Sequence, residues 1–369
     1  MAKKFLIFFE IDKVNVERFY FNRIDINIYK EEIVIIIEDY DEYIKFRLEY
    51  PNIKIFLFKE WINRVSKNYR NATVFINGNR IPDLLMTKIS RQNGCKVVFI
   101  QHGMFTGFMK RDILFFVKKI FKSIRYASYA FKLRKPLTLF KIHVQGHSRK
   151  LINKSDNLYP DYLFVYSNYW IRWHQENYFF DEKLCYFLLK NNDSKQNIIK
   201  KENSIVYCYQ TLIEDGRINP DYFFSVLDNI IKIANKLGYE LIVKGHPRMS
   251  TYTSNYFKKN NIQVIFKKLP VGSAVIGHYS TLLARWSYEK CPVIIVKLEG
   301  HKTPKTLDDL SYGKCKVNVL EDILLGCEKL NYDKLNEFKD LSNFYFNFSG
   351  NSSVENINQI MKLIDFNTN

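Results

Sequence analysis

Acidic residues are scarce in this chain. The 38 Asp and Glu stand against 56 Lys and Arg, a formal net charge of +18 over 369 residues. A field of that sign favours phosphates, nucleic acids or anionic lipid as partners. Paired cysteines are missing: the six fall singly at 95, 185, 208, 291, 315 and 327. Without a Cys-x-x-Cys pair, a zinc site or a thioredoxin-like centre is not expected, and scattered thiols suit a reducing compartment. No run of 18 apolar residues occurs, so no transmembrane helix is expected. The apolar run Phe5–Phe9 is too short for the core of a signal peptide. No repeat of 20–50 residues is visible, which excludes a solenoid.

Hydrophobic residues make up 47% and charged residues 25%, which rules out a disordered or fibrous chain and suits about two domains. Aromatics reach 16%, but Phe, Tyr, Ile, Lys and Asn all have AT-rich codons, so this bias is discounted. The positive charge is concentrated. From Phe108 to Lys154 there are 13 Lys or Arg and one acidic residue, Asp112. Ile113, Phe116, Val117, Ile120, Phe121 and Ile124 recur there at helical spacing, with Lys and Arg between them. That is the pattern of a basic amphipathic helix. A nucleic-acid coat would spread its charge, so the expected partner is an anionic membrane surface, and no nucleic acid.

Short β-branched or aromatic runs punctuate the chain: 4–10, 32–38, 53–58, 73–76, 96–100, 162–166, 204–209, 240–243, 262–266, 273–276 and 292–297. Apolar runs of this length fit strands buried on both faces of a parallel sheet. Helical spacing between them, as over Pro82–Gln92, argues for βαβ units. Asn219-Pro220 reads as an N-cap with Pro at the first helical position, and Gly238 as the stop. The polar stretch Lys190–Asn203 reads as a linker. The expected architecture is α/β, with two parallel-sheet domains facing a cleft. Residues 1–195 form the first, including the basic insertion at about 108–154, and 196–369 the second, the last helix crossing back.

In such sheets ligands bind outside the carboxyl ends of strands, and four segments fall there. Gln101-His102-Gly103 follows the strand KVVFI and offers His102 as a general base or a loop histidine. Glu214-Asp215-Gly216 follows SIVYCY and offers paired carboxylates or an acidic turn before a helix. Lys244-Gly245-His246-Pro247-Arg248 follows ELIV, and its cations suit a phosphate. Gly277-His278-Tyr279-Ser280-Thr281 sets hydroxyls at a helix N-terminus, an anion site or a plain cap.

Together these motifs resemble bacterial surface-polysaccharide glycosyltransferases of GT-B fold, with two Rossmann-like domains. The likeness is greatest to bacterial sialyltransferases, polysialyltransferases and capsule transferases that use CMP-linked acidic sugars. It covers residues ~95–105 and ~205–300. The resemblance implies a carboxylate base in Glu214-Asp215-Gly216 and binding of the CMP portion by His246-Pro247 and Ser280-Thr281. One departure stands out: in those enzymes the acidic motif belongs to the N-terminal domain, where this chain has His102-Gly103 instead. A histidine there resembles the CDP-glycerol (polyol-phosphate) transferases, whose late Asp-Tyr-Ser-Ser motif is here His278-Tyr279-Ser280-Thr281.

The expectation is an inverting, metal-independent transferase of a CMP-linked, sialic-acid-like sugar, peripheral on the inner face of the cytoplasmic membrane. It would act on a glycan or lipid-linked glycan in O-antigen, capsule or lipooligosaccharide synthesis. His102 is the first choice of base and Asp215 the second, with Glu214 beside it. Lys244, His246, Pro247, Arg248, Tyr279, Ser280 and Thr281 would hold nucleotide and phosphate. No Asp-x-Asp metal site and no cofactor is expected. A CDP-polyol phosphotransferase is the alternative enzyme, and a non-enzymatic basic membrane- or nucleic-acid-binding protein the alternative class.

Overall fold

Runs such as Ile33–Ile37 are β-branched throughout, and only a strand covered on both faces can bury every side chain of such a run. The computed structural model, which describes residues 5–10, 13–24, 32–78, 81–101, 131–132, 158–177, 184–191, 197–327, 329–350 and 354–366, places these runs in two sheets. The first contains β1 (Leu6–Glu10), β2 (Ile33–Ile37), β3 (Lys54–Leu57), β4 (Thr73–Ile76), β5 (Lys96–Ile100), β6 (Tyr162–Val165) and β7 (Cys185–Leu188). Its order is β3-β2-β1-β4-β5-β6-β7, and every pairing is parallel. Beside these strands lie α1 (Lys13–Phe19), α2 (Tyr40–Glu49), α3 (Ile81–Gln92) and α4 (Asn168–Asn177).

The second sheet contains β9 (Ser204–Cys208), β10 (Glu240–Lys244), β11 (Gln263–Ile265), β13 (Ala274–Gly277), β14 (Val293–Val296) and β15 (Gly313–Cys315). Its order, β11-β10-β9-β13-β14-β15, is again wholly parallel. Counted along each sheet, both have the doubly wound order 3-2-1-4-5-6, with one further strand on the first. The helices here are α5 (Pro220–Lys236), α6 (Thr251–Lys259), α7 (Leu282–Tyr288), α8 (Lys305–Leu310), α9 (Leu320–Cys327) and α10 (Tyr332–Phe346). The α5 cap is as expected: Asn219 accepts from the Tyr222 amide, Pro220 opens the helix, and Gly238 lies beyond it at φ +75°.

The expected linker ends in structure instead. β8 (Ile198–Lys200) pairs in parallel with β12 (Leu269–Val271), forming a two-stranded sheet of its own. Among the described residues the chain divides into two compact units with the boundary between Lys190 and Asn191, and the residues after Ser349 belong to the first. Val354 donates to Leu188 O at 2.9 Å, and Arg23 reaches Glu355 O and Lys190 O at 3.2 and 3.1 Å. The last helix, α11 (Ile357–Phe366), follows this anchorage.

The aromatic excess has a structural place. Phe8 stacks on Tyr20 at 4.7 Å and meets Phe75 at 5.0 Å, while Phe9, Phe46, Phe58, Phe99 and Phe164 are fully buried. In α4, burial lowers the His174 imidazole to about 3, so it is neutral and packs edge-on against Phe99 at 5.4 Å.

At the entry to β13 the chain passes close to the backbone of β9. A Cβ on Gly272 would stand 2.4 Å from Ser204 O, which itself accepts from the Ser273 amide at 2.8 Å. Gly272→Ala therefore has to push β9 and β13 apart. We expect a loss of about 1–3 kcal/mol, read as a lower midpoint in urea with an unchanged slope.

Candidate functional site

In the second sheet the direction of strand addition reverses between β9 and β13, the position at which open parallel sheets bind their ligands. The loops after β9, β10 and β13 carry three of the four expected motifs to this edge. Of the fourth, Gln101 is buried and accepts from the Tyr166 amide at 3.2 Å, while His102 and Gly103 lie outside the described residues, as does the basic stretch 108–154 apart from Phe131 and Lys132.

After β9 the chain makes one helical turn. The Asp215 amide donates to Thr211 O at 2.9 Å, the Gly216 amide to Ile213 O at 2.9 Å and the Arg217 amide to Leu212 O at 2.8 Å. Gly216 closes the turn at φ +63°, a conformation glycine adopts without cost. The adjacent carboxylates of Glu214 and Asp215 then have separate surroundings.

Glu214 is a brace. It accepts from Tyr209 Oη at 2.7 and 2.9 Å, from the Ser250 amide at 2.9 Å and from Thr253 Oγ1 at 3.1 Å. Ser250 is the N-cap of α6, so this carboxylate joins the β9 loop to the start of that helix. Burial pushes Glu214 up, but the Ser250 amide and Tyr209 hydroxyl outweigh it and leave the group below its usual value. Burial raises the Tyr209 phenol, which stays protonated as the donor.

Asp215 lies among cations. Its Oδ1 is 3.2 Å from Arg248 Nη1, and its Oδ2 is 3.5 Å from Arg217 Nη2 and accepts from Thr211 Oγ1 at 3.2 Å. Arg248 Nη2 also donates to Thr211 Oγ1 at 3.2 Å. The loops after β9 and β10 are thus tied together.

At the end of β10, Lys244 is buried and its ammonium donates to Phe266 O. His246 is half-buried, and its Nδ1 accepts from the Arg248 amide at 3.1 Å, which leaves Nε2 as the proton-bearing nitrogen of the neutral ring. Pro247 and Arg248 are exposed. Gly245 fits where a Cβ would be 2.7 Å from the Phe266 ring and 2.8 Å from Val264 Cγ1.

After β13, His278 anchors the turn from beneath. Its Nδ1 is 2.7 Å from Val296 O and its Nε2 is 2.8 Å from Tyr207 Oη. The carbonyl can only accept, so Nδ1 carries the proton and Nε2 accepts from the tyrosine. Burial lowers this imidazole to about 4, keeping it neutral. The Tyr279 amide donates to Gln210 Oε1 at 3.0 Å, and its ring stacks on His301 at 5.6 Å. Burial raises the Tyr279 phenol, with the nearby Arg217 guanidinium acting against that rise. Ser280 Oγ accepts from the Leu282 amide at 3.2 Å and reaches the Cys208 thiol, which burial pushes up to about 12. Thr281 precedes α7 with helical torsions and makes no side-chain cap bond.

The structure therefore gathers Glu214, Asp215, Arg248, Tyr279, Ser280 and Thr281 on loops at one sheet edge, with Lys244 turned toward Phe266. The sequence alone did not mark Thr211, Arg217 or Ser250, nor the bond from Tyr207 to the His278 of the Gly277–Thr281 motif. Only the spacing Ser250-x-x-Thr253, a cap pattern, could have pointed to one of them.

A literal Asp-x-Asp does occur, contrary to expectation, at Asp39-Tyr40-Asp41. There the Asp39 carboxylate caps α2, accepting from the Asp41 and Glu42 amides at 3.0 and 3.2 Å. Among the described residues, no group of three or more His, Cys, Asp or Glu is placed to hold a metal ion.

Two doubly wound parallel-sheet units are the arrangement of a GT-B-like fold, and the family match that follows makes the chain a glycosyltransferase. The alpha-2,8-polysialyltransferase (POLYST) family model matches residues 2–283, and the chain belongs to that family. Among solved structures it is similar to Anabaena HepE in complex with UDP, at 11% identity over 99% of both chains and a TM-score of 0.49. It is also similar to a glycosyltransferase from Rickettsia africae (12% identity, 95% of this chain and 96% of that one, TM-score 0.45). A third is the Methanocaldococcus jannaschii UDP-GlcNAc 2-epimerase in complex with UDP-GlcNAc and UDP (12%, 88% and 92%, TM-score 0.44). No curated protein matches the chain.

The brace yields a test. Glu214→Ala strands the Ser250 amide and leaves the Tyr209 hydroxyl only the longer bond to Thr253 Oγ1 at 3.3 Å, and should cost about 1–3 kcal/mol at pH 7. The native carboxylate is lowered on folding, so its stabilising effect is present above the ordinary carboxylate range and fades as pH falls through the lowered value. The gap between parent and variant in thermal unfolding should accordingly narrow below about pH 4.

Proposed function

We propose that this protein transfers a CMP-linked, sialic-acid-like sugar to a glycan or lipid-linked glycan, with inversion and without a metal, in building O-antigen, capsule or lipooligosaccharide. The observation that carries the reading is the convergence of three loops rich in cations and hydroxyls at the strand-order reversal of the second unit. Membership in the polysialyltransferase family supports an acidic sugar as the transferred group.

As the acceptor oxygen bonds to the anomeric carbon, the bond from that carbon to the phosphate oxygen breaks and the nucleotide leaves as a phosphate, whose growing negative charge needs hydrogen-bond donors already in place. In this reading Arg248, His246 and the hydroxyls of Ser280 and Thr281 face that phosphate, and Lys244 holds the 244–248 loop against Phe266 while adding its charge. Pro247 fixes the turn, and Tyr279 presents the Ser280 hydroxyl from a backbone fastened to Gln210. The acceptor hydroxyl gives its proton to a base, for which we take His102. Attack in line with the departing phosphate inverts the anomeric carbon.

The direct test is thermal shift with CMP, CDP, UDP and GDP. CMP at 100 times its dissociation constant should stabilise the protein by about 2.7 kcal/mol, and a larger response to another nucleotide would overturn the CMP assignment. His246→Ala should lose most of the CMP response.

We further propose that residues 108–154 hold the enzyme on the inner face of the cytoplasmic membrane, near lipid-linked acceptors. The support is the sequence pattern: each Lys or Arg beside an anionic bilayer contributes about 1 kcal/mol. Co-sedimentation with anionic vesicles at low salt should be strong, and should fall sharply when Lys118, Lys119, Lys122 and Arg125 are all changed to Gln. No sedimentation of the parent would rule the docking out.

A further inference from the structure

Arg217 has no part in the motifs read from the sequence, yet the structure sets it in the same cluster as Arg248. The two guanidiniums come from different loops, after β9 and after β10, and share one carboxylate, each taking a different oxygen of Asp215. Their side chains are 43% and 49% exposed, so both open to solvent while held at the base. Two Arg and one Asp leave one net positive charge on these two loops, and a guanidinium carries five N–H donors in a fixed fork.

We propose that Arg217 and Arg248 together form the receptor for the anionic groups of the donor, and that Asp215 is the positioning residue that orients them, not the base. This rests on the donor-site reading above and deepens it. A nucleotide-linked acidic sugar presents two anions close together, the ester phosphate and the sugar carboxylate. Two guanidiniums on one short carboxylate bridge match that pair as a single lysine would not.

Three features fix the geometry before a ligand arrives. Gly216 at φ +63° and the Arg217-to-Leu212 backbone bond of 2.8 Å set where the Arg217 side chain leaves the turn. Thr211 Oγ1 joins the cluster from below, donating to Asp215 and accepting from Arg248. The Arg217 guanidinium also lies beside the Tyr279 phenol, which places it next to the Ser280 hydroxyl's own loop. Both Asp215 oxygens are engaged by these donors. A base in this position would have to give up a guanidinium to take the acceptor's proton, whereas a positioning carboxylate keeps its partners throughout.

The test uses the full chain, calorimetry with CMP, CDP, UDP and GDP, and steady-state kinetics with the sugar donor of whichever nucleotide binds. Arg217→Gln should weaken nucleotide binding about tenfold or more, as expected for a lost bond to a charged group, and Arg217→Lys should recover part of it. Asp215→Asn should raise the donor KM more than it lowers kcat, and should leave the pH dependence of kcat as in the parent. Unchanged binding in Arg217→Gln overturns the receptor. A fall in kcat of about 10²–10⁴ in Asp215→Asn, with KM unchanged and one limb of the pH profile gone, overturns the positioning role and makes Asp215 the base. Arg217 is exposed, so its variants should fold, and parent-like thermal unfolding checks this. A parent that binds none of the four nucleotides overturns the donor-site reading itself, and the receptor with it.

Discussion

Parallel strand pairing is the constraint on which the rest depends. Every pairing among the described strands of both large sheets is parallel, and such pairing is stable only when both faces are covered. That demands side chains like those of Ile33–Ile37 and helices on either side. It also sends every strand of a sheet out at the same edge, so all the loops that follow strands gather there. A reversal of strand order then opens that edge between β9 and β13. The location of the candidate site is a consequence of pairing direction before any particular side chain is considered.

What the side chains add is a division of labour between neighbours. Glu214 and Asp215 are adjacent, but a turn closed by Gly216 points them at different partners. One takes uncharged donors from Tyr209, Ser250 and Thr253, and the other takes two guanidiniums. Beneath them the neutral His278 links three strands, through Tyr207 of β9, its own position after β13, and Val296 of β14. Hydrogen bonds of this kind, buried and fully directed, hold the loops at fixed separations where a solvated loop would drift.

Strands with long apolar runs were legible because burial on both faces leaves a mark on every residue. β1, β2, β4, β5, β9 and β14 are of this kind, as is α5, announced by Asn219-Pro220. β8, β12 and β15 were not legible: three residues make no pattern, and β8 exists only because Leu269–Val271 lies alongside it. β7 is half-buried along its length, which blurs the signal. At the site, the motifs fell at strand ends as their sequence context required. Their roles depended on partners far along the chain, as with Glu214 and the Ser250 amide 36 residues on. Arg217 looked like one more basic residue in a basic chain, and no local rule marks a cation whose carboxylate is shared with residue 248.

The stretch Asn191–Ser349 of the second unit begins and ends at one place, since the Asn191 amide donates to Asn347 O at 3.3 Å. On the first unit, Val354 completes a bridge beside Leu189 at the end of β7, and α11 follows it. A ribosome releases these last pieces only after the whole of Asn191–Ser349 has emerged. The first unit to be started is therefore the last to be finished. While its remaining residues are being made, β7 has its outer edge uncovered at Leu189, and the newly made inner domain has time to fold around its own termini.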